Sequence, residues 1–206
     1  PLPPELCELV QLNYLNLQNN KFSGPLPAEI GKMTGLTLLD LTSNRFSGPL
    51  PEEIGRLIHL RSLLLSENEF SGELPETLGN LIDLRSFYVK TNRLSGPFPV
   101  VLTKLVKLEY LNLSFNNFSG VIPAEIGNWE ELKHLYLWKN QFSGSIPPSI
   151  GKLRNLTELS LGENRLSGEL LKELGQLENL VTAYLNNNAF TGQIPNEMTR
   201  ASKLKY

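Results

Sequence analysis

The residues that could carry acid–base or nucleophilic chemistry are few. The chain of 206 residues contains two histidines, His59 and His134, and one cysteine, Cys7. Tyr110 precedes His134 by 24 residues and Glu158 follows it by 24. Equal spacing would place both polar side chains beside His134, which makes this histidine the one candidate general acid or base. No nucleophile with an orienting third group accompanies it. The sequence therefore favours binding over catalysis, and we predict no enzyme activity.

Cofactor chemistry also lacks a motif. The sequence contains no phosphate-binding loop, no Cys/His set at metal-ligand spacing and no haem motif, so we predict no cofactor and no metal. A lone cysteine cannot form an internal disulfide, and we interpret Cys7 as a small buried thiol.

Tyrosine and tryptophan carry the clearest signal for binding. All six tyrosines and Trp138 fall between regularly spaced leucines. Such side chains offer apolar area with a polar group, which suits a contact surface. The predicted ligand- or partner-binding residues are Tyr88, Lys90, Tyr110, Asn112, Phe115, His134, Tyr136, Trp138 and Lys139. They would form an aromatic floor with a basic rim, suited to a peptide or protein partner with some acidic character. Alternatively, half-exposed aromatic residues merely stack along neighbouring strands.

These positions belong to a repeat of 24 residues, represented by 108–123, LEYLNLSFNNFSGVIP. An asparagine recurs at this step without insertion or deletion, at Asn20, Asn44, Asn68, Asn92, Asn116, Asn140, Asn164 and Asn188. A period of 20–29 residues with the pattern L-x-x-L-x-L-x-x-N indicates a leucine-rich repeat solenoid. The asparagines are predicted to form a structural ladder, because each amide can satisfy backbone groups where the chain turns inward.

Each segment of the repeat predicts one element of a coil. The spacing of two between Leu111 and Leu113 is that of a short strand, and successive strands would stack in parallel about 4.8 Å apart. A proline such as Pro123 can open a short helical turn. The glycines that follow, Gly31, Gly55, Gly79, Gly127, Gly151 and Gly175, are expected to form the C-terminal exit of that turn.

The F/L-S-G-x-I-P segment, as in 118–123, resembles the plant-specific class of leucine-rich repeats. This class is found in receptor-like kinases, receptor-like proteins and polygalacturonase-inhibiting proteins. The resemblance covers the whole chain. It implies an α/β solenoid, a right-handed superhelix of 24-residue repeats with a parallel concave sheet and 3₁₀ or short helical turns on the convex side. It also implies a mostly extracellular protein that works by binding.

The chain is expected to be a single solenoid over 1–206, with about eight repeats and partial repeats at both ends. It begins and ends inside a repeat and lacks the polar caps that protect terminal cores, so we interpret it as an uncapped fragment of a longer array or an engineered excerpt.

Charge and hydropathy limit the classes of partner that the chain could bind. The net charge is −2 and no basic run is present, which argues against nucleic acid and anionic membranes. No stretch approaches the roughly 18 apolar residues of a membrane span, so this segment is not predicted to insert into a membrane. Three sequons make Asn112, Asn117 and Asn155 candidate glycosylation sites, although chance alone would give about this many.

Three interpretations stay open, of which the first two follow from the resemblance and the third is different in kind. The first is an extracellular peptide- or protein-recognition module of a plant receptor-like kinase or receptor-like protein, at the plasma membrane, with a peptide ligand, a co-receptor or both as partners. The second is a polygalacturonase-inhibiting type of protein secreted to the cell wall. The third is an excerpted or engineered scaffold without a natural ligand.

Overall fold

The computed structural model describes residues 1–205, which form stacked coils with the 24-residue step of the sequence. Each coil contributes a short strand to one parallel concave sheet. Among the described residues these strands are Tyr14–Asn16, Leu38–Asp40, Ser62–Leu64, Ser86–Tyr88, Tyr110–Asn112, His134–Tyr136, Glu158–Ser160 and Thr182–Tyr184. Each residue pairs with the residue 24 positions later, as His134 does with Glu158. Equivalent residues therefore form straight columns, as the sequence predicts.

A second parallel sheet runs along the side of the solenoid, where the Ser-Gly-x-Ile-Pro segments lie. Its strands in 1–205 are Ser23–Gly24, Arg45–Gly48, Glu69–Gly72, Arg93–Pro97, Asn117–Val121, Gln141–Gly144, Arg165–Glu169 and Ala189–Thr191. The convex side carries 3₁₀ turns, at Pro4–Glu8, Ala28–Lys32, Glu52–Arg56, Glu76–Asn80, Val100–Lys104, Ala124–Asn128, Pro148–Lys152, Lys172–Gln176 and Asn196–Arg200. None of the helical turns in this part of the chain is long and apolar enough to cross a bilayer.

The core lies between the two sheets and the turns. The inward residues of the fifth coil, Leu108, Leu111 and Leu113, are fully buried, and so is Phe118. The phenylalanine rings stack from coil to coil, as Phe118 does on Phe142 with ring centroids 6.3 Å apart. Each concave strand has only three residues, so most of its stability comes from apolar surface covered by neighbouring coils.

The recurrent asparagines tie each coil to the one before it. Asn116 is 8% exposed, and its amide nitrogen donates to the carbonyls of Leu113 at 3.1 Å and Val89 at 2.9 Å. Its carbonyl oxygen accepts the Leu94 N–H at 3.0 Å. The same bonds to the preceding coil recur at Asn44, Asn68, Asn92, Asn140, Asn164 and Asn188. Asn20 bonds the carbonyls of Leu17 and Gln18 in its own coil.

The glycines of the convex turns do not serve as turn exits, so that interpretation is wrong. Gly55 lies inside the turn Glu52–Arg56, and its φ is outside the left-handed region. A Cβ atom on Gly55 would lie 2.4 Å from the carbonyl oxygen of Thr77 in the next coil. Glycine is required at this position because the turns Glu52–Arg56 and Glu76–Asn80 approach too closely to admit a side chain between them.

Gly55→Ala is expected to lower the free energy of unfolding by about 2 kcal/mol, because the added methyl group overpacks the contact with Thr77. Urea denaturation of the variant would measure the loss. Glu52→Ala, in the same turn and exposed, is the matched control and should leave the midpoint nearly unchanged. An unaltered midpoint for Gly55→Ala would contradict the close approach.

Candidate functional site

The concave sheet contains a hollow of about 460 Å³, which we call the aromatic hollow. Its lining comes from three columns of the repeat: Asn112, Tyr136, Ser160 and Tyr184 in the first, Lys90, Ser114, Trp138 and Asn186 in the second, and Phe115 in the third. Four aromatic side chains form its walls. The hollow therefore offers apolar surface on an otherwise polar strand face.

Five of the nine residues predicted to bind a ligand line the hollow, namely Lys90, Asn112, Phe115, Tyr136 and Trp138. The other four, Tyr88, Tyr110, His134 and Lys139, lie outside its lining. The predicted binding residues do not include the other four lining residues, Ser114, Ser160, Tyr184 and Asn186. The available signal was the column itself, since Tyr184 lies two coils beyond Tyr136 at the same position of the repeat. Tyr206, the next tyrosine in a concave position, lies outside the described residues.

Small side chains give the hollow its depth. Ser114 and Ser160 are 4% and 5% exposed and lie at its floor, where larger residues would fill the space. The side-chain oxygen Oδ1 of Asn112 accepts the backbone N–H of Ser114 at 3.0 Å, which fixes the Asn112 side chain. A ligand group that enters between the rings can therefore bury apolar surface.

Phe115 and Lys139 occupy a backbone position that is left-handed in each of the eight described coils that contain it. The residue before each recurrent asparagine has a left-handed conformation, with φ of 56° at Phe115 and 53° at Lys139. Asn19 and Asn187 occupy equivalent positions, and asparagine tolerates this region well. A bulky residue costs about 1–2 kcal/mol there. The Phe115 ring nonetheless lies edge-on to Trp138, with centroids 5.0 Å apart.

A second cluster borders the hollow in the column that contains Tyr110, His134 and Glu158. Tyr110 packs edge-on against His134, with ring centroids 4.9 Å apart, and His134 packs against Tyr136 at 5.6 Å. The Tyr136 hydroxyl donates to the Glu158 carboxylate and lies 3.1 Å from His134 Nδ1. Burial raises the pKa of Tyr136 above its usual range, and the bond to Glu158 raises it further as the second-largest cause. Tyr136 therefore stays protonated, and its ring is fixed as a wall of the hollow.

Glu109 joins three coils on the concave face. Its carboxylate accepts hydrogen bonds from Lys133 Nζ at 2.7 Å and Arg85 Nη1 at 2.6 Å. The bond from Lys133, and then that from Arg85, lowers the pKa of Glu109. Two of the basic residues near the site, Arg85 and Lys133, are thus already paired with an acidic side chain of the chain itself.

Replacement of Glu109 by glutamine should lower stability by about 1 kcal/mol or less at pH 7, since both cations are about half exposed. The folded pKa lies below the unfolded value, so the contribution is present above about pH 4.3 and disappears as pH falls through the folded pKa. Urea midpoints at pH 7 and pH 3 would measure the change. Glu131→Gln, at an exposed position, is the control. A deficit of the same size at both pH values would contradict this prediction.

The three sequon asparagines differ in exposure. Asn117 and Asn155 are exposed, and the Asn155 amide donates to the Glu130 carbonyl at 2.9 Å. Asn112 is half-buried in the lining, so a glycan there would occupy the hollow. Glycosylation at all three stays a prediction. Within residues 1–205, no three His, Cys, Asp or Glu side chains converge to hold a metal ion.

Family models match most of the chain. A model described as a leucine-rich repeat region matches residues 4–96, and the leucine-rich repeat model matches residues 107–129, 131–153 and 155–177. Among curated proteins, no relative matches this chain.

Solved structures of plant receptor ectodomains resemble the chain closely. One is the leucine-rich repeat ectodomain of the Arabidopsis thaliana receptor kinase GASSHO1/SCHENGEN3, in complex with CASPARIAN STRIP INTEGRITY FACTOR 2. Its sequence is 34% identical and the TM-score is 0.88. The match covers 98% of this chain and 27% of the receptor chain. The plant peptide hormone receptor RGFR1, in complex with RGF2, is 31% identical with a TM-score of 0.89 over 99% of this chain and 37% of its own. The Arabidopsis receptor kinase HAESA, with the peptide hormone IDA and the co-receptor SERK1, is 34% identical with a TM-score of 0.80 over 100% of this chain and 39% of its own.

The chain thus spans between 27% and 39% of the length of these receptor structures. The repeat models, the two parallel sheets and the 3₁₀ turns agree on one architecture. The chain belongs to the leucine-rich repeat family, and its repeats are of the plant type.

Proposed function

We propose that this chain is a peptide- or protein-recognition module of a plant receptor-like kinase or receptor-like protein, on the extracellular side of the plasma membrane. The aromatic hollow is the observation that carries the proposal, because it places four rings on a face that is open to an extended ligand. Apolar pockets with a few convergent polar groups are the usual form of a binding site. The ligand makes its main contact there.

The comparisons support a role in binding. The structures of GASSHO1/SCHENGEN3 and RGFR1 contain a bound factor or peptide, and the HAESA structure also contains a co-receptor. A co-receptor contact for the present chain is part of the same proposal. The His134–Tyr136–Glu158 cluster is assigned a structural role instead of a catalytic one, because its hydrogen bonds hold Tyr136 in the wall of the hollow.

A cationic rim suggests acidic character in the ligand. Lys90 Nζ and Lys139 Nζ lie 5.6 Å and 5.1 Å from the centre of the Phe115 ring. Neither lysine pairs with an acidic side chain within residues 1–205, in contrast to Lys133. An acidic group next to an apolar side chain would satisfy both the rim and the walls.

The proposal is tested by selecting a randomised peptide library on the purified protein, with Trp138→Ala as the comparison. Peptides that are retained by the natural sequence and lost from Trp138→Ala support the proposed function. Folding of the variant is checked by circular dichroism and urea denaturation. If no peptide is enriched, or if Trp138→Ala retains the same peptides equally, the hollow is not the recognition site.

The double variant Lys90→Gln/Lys139→Gln is expected to bind the selected peptides about 5–30-fold more weakly, because it removes the cations that face the ligand's acidic group. Its affinity should also depend less on salt concentration. Titrations at low and high ionic strength would measure both effects. Lys32→Gln, on the convex side, is the control. Equal affinity and equal salt dependence would contradict an acidic ligand.

A further inference from the structure

The indole of Trp138 is positioned by packing alone. Its Nε1 atom is buried, and no residue among 1–205 accepts a hydrogen bond from it. The other tryptophan behaves differently, since Trp129 Nε1 donates to the Leu102 carbonyl at 3.0 Å. The position of a ring that makes no hydrogen bond is set by the side chains that pack against it. For Trp138, Phe115 provides one such neighbour, at 5.0 Å between ring centroids.

Gly162 provides the room on the other side. A Cβ atom on Gly162 would lie 3.1 Å from Cδ1 of Trp138 and 2.7 Å from Oδ1 of Asn186. The φ of Gly162 is outside the left-handed region, so the backbone does not require glycine. Other coils place Thr42, Ser66, Lys90 and Ser114 in this column. Gly162 lies beyond the end of the strand Glu158–Ser160, and the space that a side chain there would need is held by Trp138 and Asn186, so its lack of a side chain has a steric reason.

A side chain at position 162 would act mainly on the indole. The Asn186 side chain is exposed and can turn away. The Trp138 ring is packed against Phe115, so it can yield chiefly by moving into the hollow. The free space between the rings would then shrink.

We propose that Gly162 is a positioning residue that sets the size of side chain the aromatic hollow accepts. With glycine, the indole lies back over the strand, and the hollow receives an aromatic or large aliphatic side chain of a bound peptide. With a larger residue, the displaced indole restricts the hollow to small side chains. This inference rests on the proposed function.

Two measurements test the positioning role itself. Gly162→Val should shift the indole N–H resonance of Trp138 in a ¹⁵N-correlated NMR spectrum and leave that of Trp129 in place. Trp138→Ser, which removes one of the two signals, assigns them. In a double-mutant cycle, Gly162→Val should destabilise the protein when Trp138 is present and be harmless in the Trp138→Ser background. Ser66→Val, in the same column but distant from the indole, is the control and should leave both resonances unchanged.

Peptide selection tests the specificity. The natural sequence should enrich peptides with large apolar side chains, and Gly162→Val should bind these about tenfold more weakly and enrich small side chains instead. If both proteins select the same side-chain sizes, or the Trp138 resonance does not move, the inference fails while the proposed function stands. If the natural sequence enriches no peptide, the proposed function fails and the specificity assignment fails with it.

Discussion

Asn116→Ala is expected to lower the free energy of unfolding by about 2–3 kcal/mol. The substitution removes the acceptor of the buried Leu94 N–H, and an unsatisfied buried donor costs about 1–3 kcal/mol. It also removes donors from the carbonyls of Val89, Leu113 and Ser114. The Val89 carbonyl keeps part of its bonding, since Asn92 also donates to it. Urea denaturation followed by circular dichroism would measure the loss.

Asn20→Ala is the matched control for the ladder. Asn20 has the same position in its repeat but is exposed and bonds only the carbonyls of its own coil among the described contacts. Its replacement should cost less than about 1 kcal/mol, because water can satisfy the exposed carbonyls. Equal losses at the two positions would mean that the bonds between coils contribute little.

Phe115→Asn is expected to weaken peptide binding by about 30-fold or more while leaving stability nearly unchanged. Truncating an aromatic residue central to an interface typically costs about 2 kcal/mol or more of binding free energy. Asparagine suits the left-handed backbone at this position, so relief of strain offsets the lost contact with Trp138. Titration with peptides selected on the natural sequence would measure the affinity, and urea denaturation the stability.

Thr91→Asn separates the backbone effect from the ligand effect. Thr91 has the same left-handed conformation one coil earlier, with φ of 56°, and does not line the hollow. A β-branched residue is strained there, so its replacement should stabilise the protein by about 0.5–1 kcal/mol without changing affinity. A large loss of stability in Phe115→Asn with unchanged binding would instead indicate that the aromatic residues only pack on one another.

The architecture could be predicted from the sequence because the repeat has a constant step. A residue such as Leu111 and the residue 24 positions later must occupy equivalent places, so the strands, their parallel pairing and the buried columns follow directly. The surface columns also follow, which is why Tyr136 and Trp138 were assigned to one face. Distances between coils do not follow from one repeat. The role of Gly55 was therefore misinterpreted, since it depends on Thr77 in the next coil.

The extent of the candidate site was harder to predict. A column specifies which side chains are neighbours, but the depth of a hollow depends on which neighbours are small. The repeat pattern does not distinguish Ser160 from other polar residues of the concave face, yet its size leaves the space between Tyr136 and Tyr184. Side-chain hydrogen bonds were equally hidden. The Tyr136 hydroxyl is engaged by Glu158 and the Glu109 carboxylate by two cations, and both arrangements depend on rotamers that spacing does not encode.

The uniform register between coils has an evolutionary consequence. Within residues 1–205, neighbouring concave strands pair through the same offset of 24 residues, and the asparagines from Asn44 to Asn188 bond the backbone of the preceding coil through the same atoms. A gene of this kind can gain or lose one whole coil by unequal recombination, and the joined coils still match at the new boundary. Each such event lengthens or shortens every surface column by one member. Recognition surfaces can therefore diversify by shuffling intact units, without first passing through a misfolded intermediate.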